Sequence, residues 1–389
     1  MPRSIAAEVV PQVFTWLRES AGWSIEDVSK RLETSNDAVK AIESGEKAPT
    51  LNQLRELSLT YKRPLAAFFL SKPIEEKPKP KDYRMLPNRK DVFDKKTILV
   101  LRKARMLQEL GAELSRNIDY QTKPHIKKVK MSESPEQLAK NYRQIFELTE
   151  EKQKKFRTSY DLFNYIRDKM EDMNILVFQY SMPVEDARGF ALPDESPNVI
   201  VLSSKDSIEA RIFSLMHEFA HILLGETAID FPDFTMPRQN DVEAWCNRFA
   251  SAFLLPSDAA TNIFKSNKNT LTETDTLNAL SRRYKVSKAM LLFNMLKLNF
   301  ISKTEYENVL ERYKPQEPEI VEEIEGEGEA EAKAGGISAE VKCLSEVGNK
   351  FVSLVANNYD RNQITYTDAL NYLSIKSKNF DKVLAKARK

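Results

Sequence analysis

Apolar positions along this chain recur mostly at the three- and four-residue spacing of helices, in blocks parted by Pro, Gly and charged stretches. The first block is a run of short helices. Val13, Trp16 and Leu17 share one helical face. Ser24 followed by Ile25, Glu26 and Asp27 reads as a capping box that opens a helix through Leu32. Ser35 caps a third helix, Asn36 to Ser44, closed by Gly45. Pro49 and Thr50 start a fourth with Leu51, Leu54 and Leu57, and Pro64 opens a fifth through Leu70. Residues 1–70 therefore form a five-helix unit with a tight turn between its second and third helices. A Pro/Lys-rich linker, 71–94, follows and is extended by composition. The spacing then predicts a long helix over 95–120, with Leu99, Met106, Leu107, Leu110 and Leu114 on one face, and two more over 135–148 and 158–173.

Further on, an apolar helix surrounds positions 212–225. A second, with Val242, Trp245, Phe249, Ala252 and Phe253 in helical register, ends at Pro256. Residues 271–300 read as two helices, part of a helical extension that runs to 313. Residues 314–336 hold Pro315, Pro318, a Glu-rich run and Gly335-Gly336, the composition of an acidic disordered linker. Residues 337–389 form a small helical C-terminal domain, in which Ile364–Leu373 followed by Ile375–Lys382 has a helix-turn-helix rhythm.

The chemistry concentrates in His217-Glu218-Phe219-Ala220-His221. Two imidazoles at i and i+4 lie on one helix face and reach one metal ion, while Glu218 projects off that axis, placed to act on a water. Two imidazoles plus a nearby carboxylate are the minimum for hydrolysis at zinc. The plainer account is a buried helix whose histidines happen to fall in register. Against it, the chain holds three histidines and this motif takes two. A zinc site needs a third protein ligand. Glu243, in the first turn of the 241–256 helix, is a candidate, although a carboxylate there also suits a helix N-terminus. Asp241 and Glu226 are rivals. Cys246 is poorer, since it lies three positions along the same helix.

The run from Arg211 through His217, Glu218 and His221 to Gly225, followed by Glu243 through Asn247 and Phe249 to Pro256, resembles the ImmA/IrrE family of zinc metallopeptidases. The match carries over His217 and His221 as zinc ligands, Glu218 as general base and Glu243 as third ligand. Cys246 stands where the family usually has Ala, and Phe253 where it has Leu. Residues 189–202 resemble the two short strands that precede the family's catalytic helix. The resemblance implies a site-specific endopeptidase whose substrate is often a helix-turn-helix repressor. Residues 1–70 resemble the XRE (lambda-repressor-like) helix-turn-helix, most closely over Ile42-Glu43-Ser44-Gly45 and Pro49-Thr50. That likeness makes the third helix the recognition helix, with Ser35, Asn36 and Lys40 toward base edges or phosphates. Asp82 to Pro87 resembles the short Asp-Phe-Arg motif of such fusions.

Charge qualifies the DNA expectation. Residues 1–70 carry nine basic and nine acidic side chains, and Ala41 stands where a basic residue commonly reaches a phosphate. Phosphate contacts supply most non-specific affinity, so a neutral module is weakly equipped for DNA. A protein-docking or dimerising role is the competing reading. The locally basic Lys123–Lys130 reads as a solvated loop. For the whole chain the net charge is +2, which sets up no strong global field. No run of eighteen apolar residues exists, the first residues lack a signal-peptide core, and two cysteines are too few for a disulfide framework. A cytoplasmic protein with no membrane partner is expected.

The expected fold is mainly α with a small antiparallel β-sheet: a five-helix helix-turn-helix domain, a zincin-like peptidase domain over 95–313 with its HExxH core at about 158–260, and a helical tail. The expected function is a zinc endopeptidase that cleaves a helix-turn-helix repressor or antitoxin to switch gene expression, with operator DNA as a second partner through residues 1–70. A homodimer stays open. The alternative is a non-proteolytic helix-turn-helix regulator that keeps the zinc fold as a scaffold for a partner or sensed ligand. Arg211, Arg248, His125, Tyr160 and Tyr180 are the candidates for stabilising an oxyanion, and the sequence does not rank them.

Overall fold

The computed structural model describes residues 6–61, 63–74, 81–82, 94–118, 126–193, 196–225, 228–230, 241–312 and 338–387. The chain divides into two compact units. One comprises residues 1–79 and 86–105, the other 80–85 and 106–389. The long helix that enters at residue 95 gives its first half to one unit and its second half to the other.

Unit one contains α1 (Pro11–Ser20), α2 (Ile25–Arg31), α3 (Asn36–Glu43), α4 (Leu51–Tyr61) and a 3-10 helix at Leu65–Phe69 in place of the expected fifth α-helix. The capping box is present: Ser24 and Asp27 bond each other's backbone N–H groups. Val13, Phe14, Leu17, Val28, Val39, Ile42, Leu54, Leu57, Tyr61 and Phe68 close a core of their own. At its margin Arg18 Nε donates to Glu43 at 2.6 Å, and both side chains are nearly buried.

The remaining elements are β1 (Lys81–Asp82), α5 (Lys95–Asn117), α6 (Pro135–Ile145), α7 (Glu150–Lys155), α8 (Ser159–Asp172), β2 (Ile175–Tyr180), β3 (Gly189–Leu192), β4 (Asn198–Ser203), α9 (Ile208–Leu224), β5 (Ala228–Asp230), α10 (Asp241–Leu254), α11 (Ser257–Ser266), α12 (Thr274–Tyr284), α13 (Lys288–Lys297), α14 (Lys303–Glu311), α15 (Ala339–Asp360), α16 (Tyr366–Leu373), a 3-10 turn at Ser377–Asn379 and α17 (Phe380–Ala387). The sheet is small, as expected, and mixed rather than antiparallel throughout. Its order is β1-β5-β3-β4-β2. β3 and β4 form the antiparallel hairpin that the resemblance implied, but β2, which no periodicity announced, joins β4 in parallel.

β2 escapes a sequence reading because both its faces are buried, so its pattern is continuous rather than alternating. Ile175 and Val177 enter the main core with Ile166, Ile212, Phe219 and Phe249. On the other face, Phe178 meets Phe351 of α15 edge-on, ring centroids 5.9 Å apart, and Leu176 approaches Gly111 of α5. Helices thus cover both faces of the sheet. In α5 the buried face runs through Ile98, Leu101, Leu107, Leu110 and Leu114, while Met106 is half exposed and Leu99 only partly buried. The expected face was rotated, because Met106 fits the spacing but not the packing. Gln108 on the buried face ties the helix to the hairpin, donating to the carbonyls of Leu192 and Pro197 at 3.2 and 3.0 Å.

Phe146 is fully buried among Tyr142, Phe219 and Phe253, with centroid distances of 6.3, 5.9 and 5.4 Å. Phe146→Ala is expected to cost about 3–5 kcal/mol, measured as a lowered urea midpoint at unchanged slope in chelator-treated protein.

Candidate metal centre

Ser207 opens the helix that carries the motif: its Oγ accepts from the Ala210 N–H at 3.3 Å. α9 is buried almost all round, which fits its position between the sheet and α8 and α10. His217, Glu218 and His221 are all fully buried. α10 packs along α9 and brings Glu243 to the two imidazoles. Its far end is held by polar groups in the core. Arg143 of α6 donates to the Phe253 carbonyl, and Gln153 of α7 to the carbonyls of Leu254 and Tyr284 at 2.9 and 2.8 Å. Burial lowers Arg143 to about 10. These contacts satisfy helix-end carbonyls that would otherwise lack partners.

Three ligand-type atoms converge. The Nε2 atoms of His217 and His221 are 3.1 Å apart, and the Glu243 carboxylate oxygens stand 3.2 and 3.3 Å from them. His217 Nδ1 lies 3.0 Å from Asn247 Oδ1. Asn247 Oδ1 therefore accepts a hydrogen bond from the Nδ1–H of His217, and that tautomer leaves Nε2 as a lone pair. Both Glu243 oxygens are buried, with no hydrogen-bond donor among the described residues. Lone pairs and a carboxylate facing one another in a buried cluster repel unless a cation lies between them. A tetrahedral zinc with bonds of about 2.0–2.1 Å sets its ligand atoms about 3.3 Å apart, so both the donor set and its spacing fit that ion.

Beside the ligands, Glu218 faces β3. A Cβ on Gly189 would sit 3.2 Å from Glu218 Oε1 and 2.9 Å from the Val201 carbonyl, so only glycine lets that strand pass so close to the carboxylate. Of the rival third ligands, Asp241 is exposed on α10 and stands outside the cluster. Glu226 lies outside the described residues. Cys246 is buried on α10 and is not one of the clustered groups.

The oxyanion candidates have other partners. Arg248 is held by Glu136 through two bonds of 3.0 and 2.9 Å. Arg211 donates to Gln179 at 2.7 Å and lies over the Tyr160 ring. Tyr180 is buried at the end of β2, and His125 lies outside the described residues. Of the basic stretch before α6, Lys128 packs against Gly225 at the C-terminus of α9, where a cation meets the helix dipole.

In unit one, two of the three residues expected at DNA make hydrogen bonds within the fold. Ser35 Oγ accepts from the Ala38 N–H at 3.2 Å and caps α3. Asn36 Oδ1 accepts from the Ser29 hydroxyl and ties α3 to α2. Lys40, exposed, stands 3.5 Å from Asp37.

Asn247 is the functional residue that sequence reasoning passed over. Its signal was its spacing: four positions after Glu243, it lies on the same face of α10. Gly189 gave no signal beyond its place at the start of a strand.

Comparison with known families agrees with both units. Residues 170–296 match the family model of the IrrE N-terminal-like domain, peptidase M78, and residues 15–68 match the helix-turn-helix model. The two matches lie in the order the sequence resemblance implied, a helix-turn-helix region followed by an IrrE-like one. None of the curated proteins compared with it matches.

The site generates a ranking of metal loss. Glu243→Ala should abolish stoichiometric zinc, and Asp241→Ala should leave it intact. Asn247→Ala, which frees the His217 ring to turn, should weaken zinc affinity about 10–100-fold. Competition with a chromophoric chelator, backed by elemental analysis, measures all three. Full zinc in Glu243→Ala would assign the third ligand elsewhere.

Proposed function

We propose that this fusion of an IrrE-like peptidase domain with a helix-turn-helix is a regulatory zinc endopeptidase, and that its substrate is a helix-turn-helix repressor or antitoxin. The observation that carries the reading is the convergence of His217, His221 and Glu243, with the buried Glu218 one position from a ligand. A zinc ion held by these residues would supply Lewis acidity toward a peptide carbonyl and a water. Glu218 takes the proton from the attacking water and returns it to the leaving amine. Asn247 holds the His217 ring in the tautomer that keeps Nε2 free. The apolar surroundings of α9 exclude bulk water from the reacting groups, which strengthens every interaction among them.

The helix-turn-helix unit gives the enzyme a means of finding its target. Its neutral charge balance and the internal duties of Ser35 and Asn36 favour docking on a protein over reading bases. Leu59 is 70% exposed and Phe69 50%, apolar side chains suited to pairing with a like domain. Absence of a membrane-crossing helix among the described residues is consistent with action in a soluble compartment, and we place the protein in the cytoplasm.

Glu218→Gln keeps the shape and removes the base. It is expected to bind zinc like the wild type and to lose proteolysis of candidate repressors, read as cleavage products by mass spectrometry. A Glu218→Gln protein that regulates its target genes as the wild type does would replace the enzyme reading with a scaffold that senses or binds a partner.

DNA binding by unit one is expected to be weak and to vanish as salt rises to physiological strength. Lys40→Glu should reduce it evenly across sequences. Fluorescence anisotropy over a salt series tests this. Tight, sequence-selective binding above physiological salt would make the module a DNA reader in its own right.

A further inference from the structure

The C-terminal helices are attached to the peptidase core through a buried ion pair as well as through apolar contact. α15 is broken at Gly348, which takes φ 80° and ψ 162° inside it. Such a break leaves carbonyls without partners on one side and N–H groups on the other. α8 supplies both. The Arg167 guanidinium donates to the Leu344 and Ser345 carbonyls at 3.0 and 2.9 Å, a cation at the negative end of the first half. Glu171, one turn along α8, accepts from the Lys350 N–H at 2.8 Å, an anion at the positive end of the second half. The two side chains pair at 3.1 Å and are 4% and 5% exposed. A Cβ at 348 would overlap the Glu171 carboxylate, so the break needs glycine for its backbone angle and for its space.

The Ser345 carbonyl has a second donor. Gln179 Nε2, on β2, reaches it at 2.9 Å. With its amide fixed in this way, Gln179 turns Oε1 to Arg211, which donates at 2.7 Å. Arg211 lies on α9, six residues before His217. An unbroken series of hydrogen bonds therefore runs from the break in α15, through Gln179, to the helix that carries both imidazoles. Only a side chain with a donor and an acceptor on separate atoms can serve both neighbours at once.

We propose that the C-terminal helices are an internal effector of the metal centre. Docked, they hold Arg211 through Gln179 and keep α9 placed for metal binding; undocked, they let the first half of α9 loosen and the metal affinity fall. The inference rests on the proposed zinc site for the identity of the ion, and on the hydrogen bonds alone for the coupling. Gln179 and Arg211 are positioning residues: they act through α9 and touch no reacting atom. The tail is joined to the core through residues 313–337, rich in Glu and Gly. A protein that draws the tail away thus acts on the site without entering the cleft.

The test uses the full chain and two substitutions. Gly348→Ala undocks the tail. Gln179→Glu keeps an acceptor for Arg211 but cannot donate to Ser345, so it holds Arg211 without the tail. Hydrogen exchange over 208–216 and 349–355 reports the helices, and chelator competition reports zinc. Gly348→Ala should raise exchange in both segments and weaken zinc binding about tenfold, the scale of lost outer-shell support. Adding Gln179→Glu should restore α9 protection and zinc affinity to within about twofold of wild type while α15 stays loose, a coupling read as a double-mutant cycle. A merely structural tail predicts no such rescue. Faster exchange in α15 with α9 and zinc unchanged, or a double variant no better than Gly348→Ala, overturns the proposal. Should Gly348→Ala fail to fold, Lys350→Pro, in the first turn of the second half, removes the N–H that Glu171 accepts, and the same outcomes decide. If the wild type binds no zinc, the metallopeptidase reading fails and exchange in α9 decides the coupling by itself.

Discussion

Two imidazole nitrogens and a carboxylate, buried and held 3.1–3.3 Å apart, are the arrangement on which the rest of the peptidase unit depends. Burying such groups costs several kcal/mol each unless a cation and further hydrogen bonds offset the cost. The protein meets this demand by fixing helices rather than by solvating the site. α9 is pinned between the sheet and α10. α10 is held at its far end by Arg143 and Gln153, and at its near end it places Glu243 and Asn247 one turn apart on the same face. Helix packing, rather than the ligand groups themselves, thus sets where the two imidazoles and the carboxylate stand.

Much of this arrangement was legible in the chain, for reasons that can be named. The i, i+4 histidines announce a shared ligand face whatever the tertiary structure, and α9 and α10 are long amphipathic or apolar helices, α9 opened by its Ser207 cap. Glu243 needed the family resemblance, because spacing alone could not choose between it, Asp241 and Glu226. β2 was missed because a strand buried on both faces has no alternation to read. The face of α5 was misplaced because Met106 has the right spacing and the wrong surroundings. The two-sided covering of the sheet was not legible at all. It depends on α15 returning from more than 150 residues away to lie on β2.

The same limit explains the recognition helix. Position and family likeness point Ser35 and Asn36 outward, yet local hydrogen bonds compete for such short polar side chains. Ser35 caps its own helix and Asn36 is tied to α2. Both stay exposed, and beside them on α3 stand Lys40 and Asp37, 3.5 Å apart. The module's charges balance over residues 1–70, and Leu59 and Phe69 add exposed apolar surface to it.

The buried Arg167–Glu171 pair is a costly way to attach two helices if adhesion were its only purpose. Phe351 on Phe178 already supplies apolar contact there, and replacing a buried ion pair by well-packed apolar groups is often neutral or stabilising. What the pair adds is specificity of position: it accepts α15 only with its break at Gly348 aligned, and only that alignment presents the Ser345 carbonyl to Gln179. Burial pushes the Glu171 carboxyl up despite its cationic neighbour, so the attachment carries a desolvation cost along with its specific geometry. Because it lies on the same hydrogen-bonded path as Arg211, undoing it is felt in the helix that carries the metal ligands.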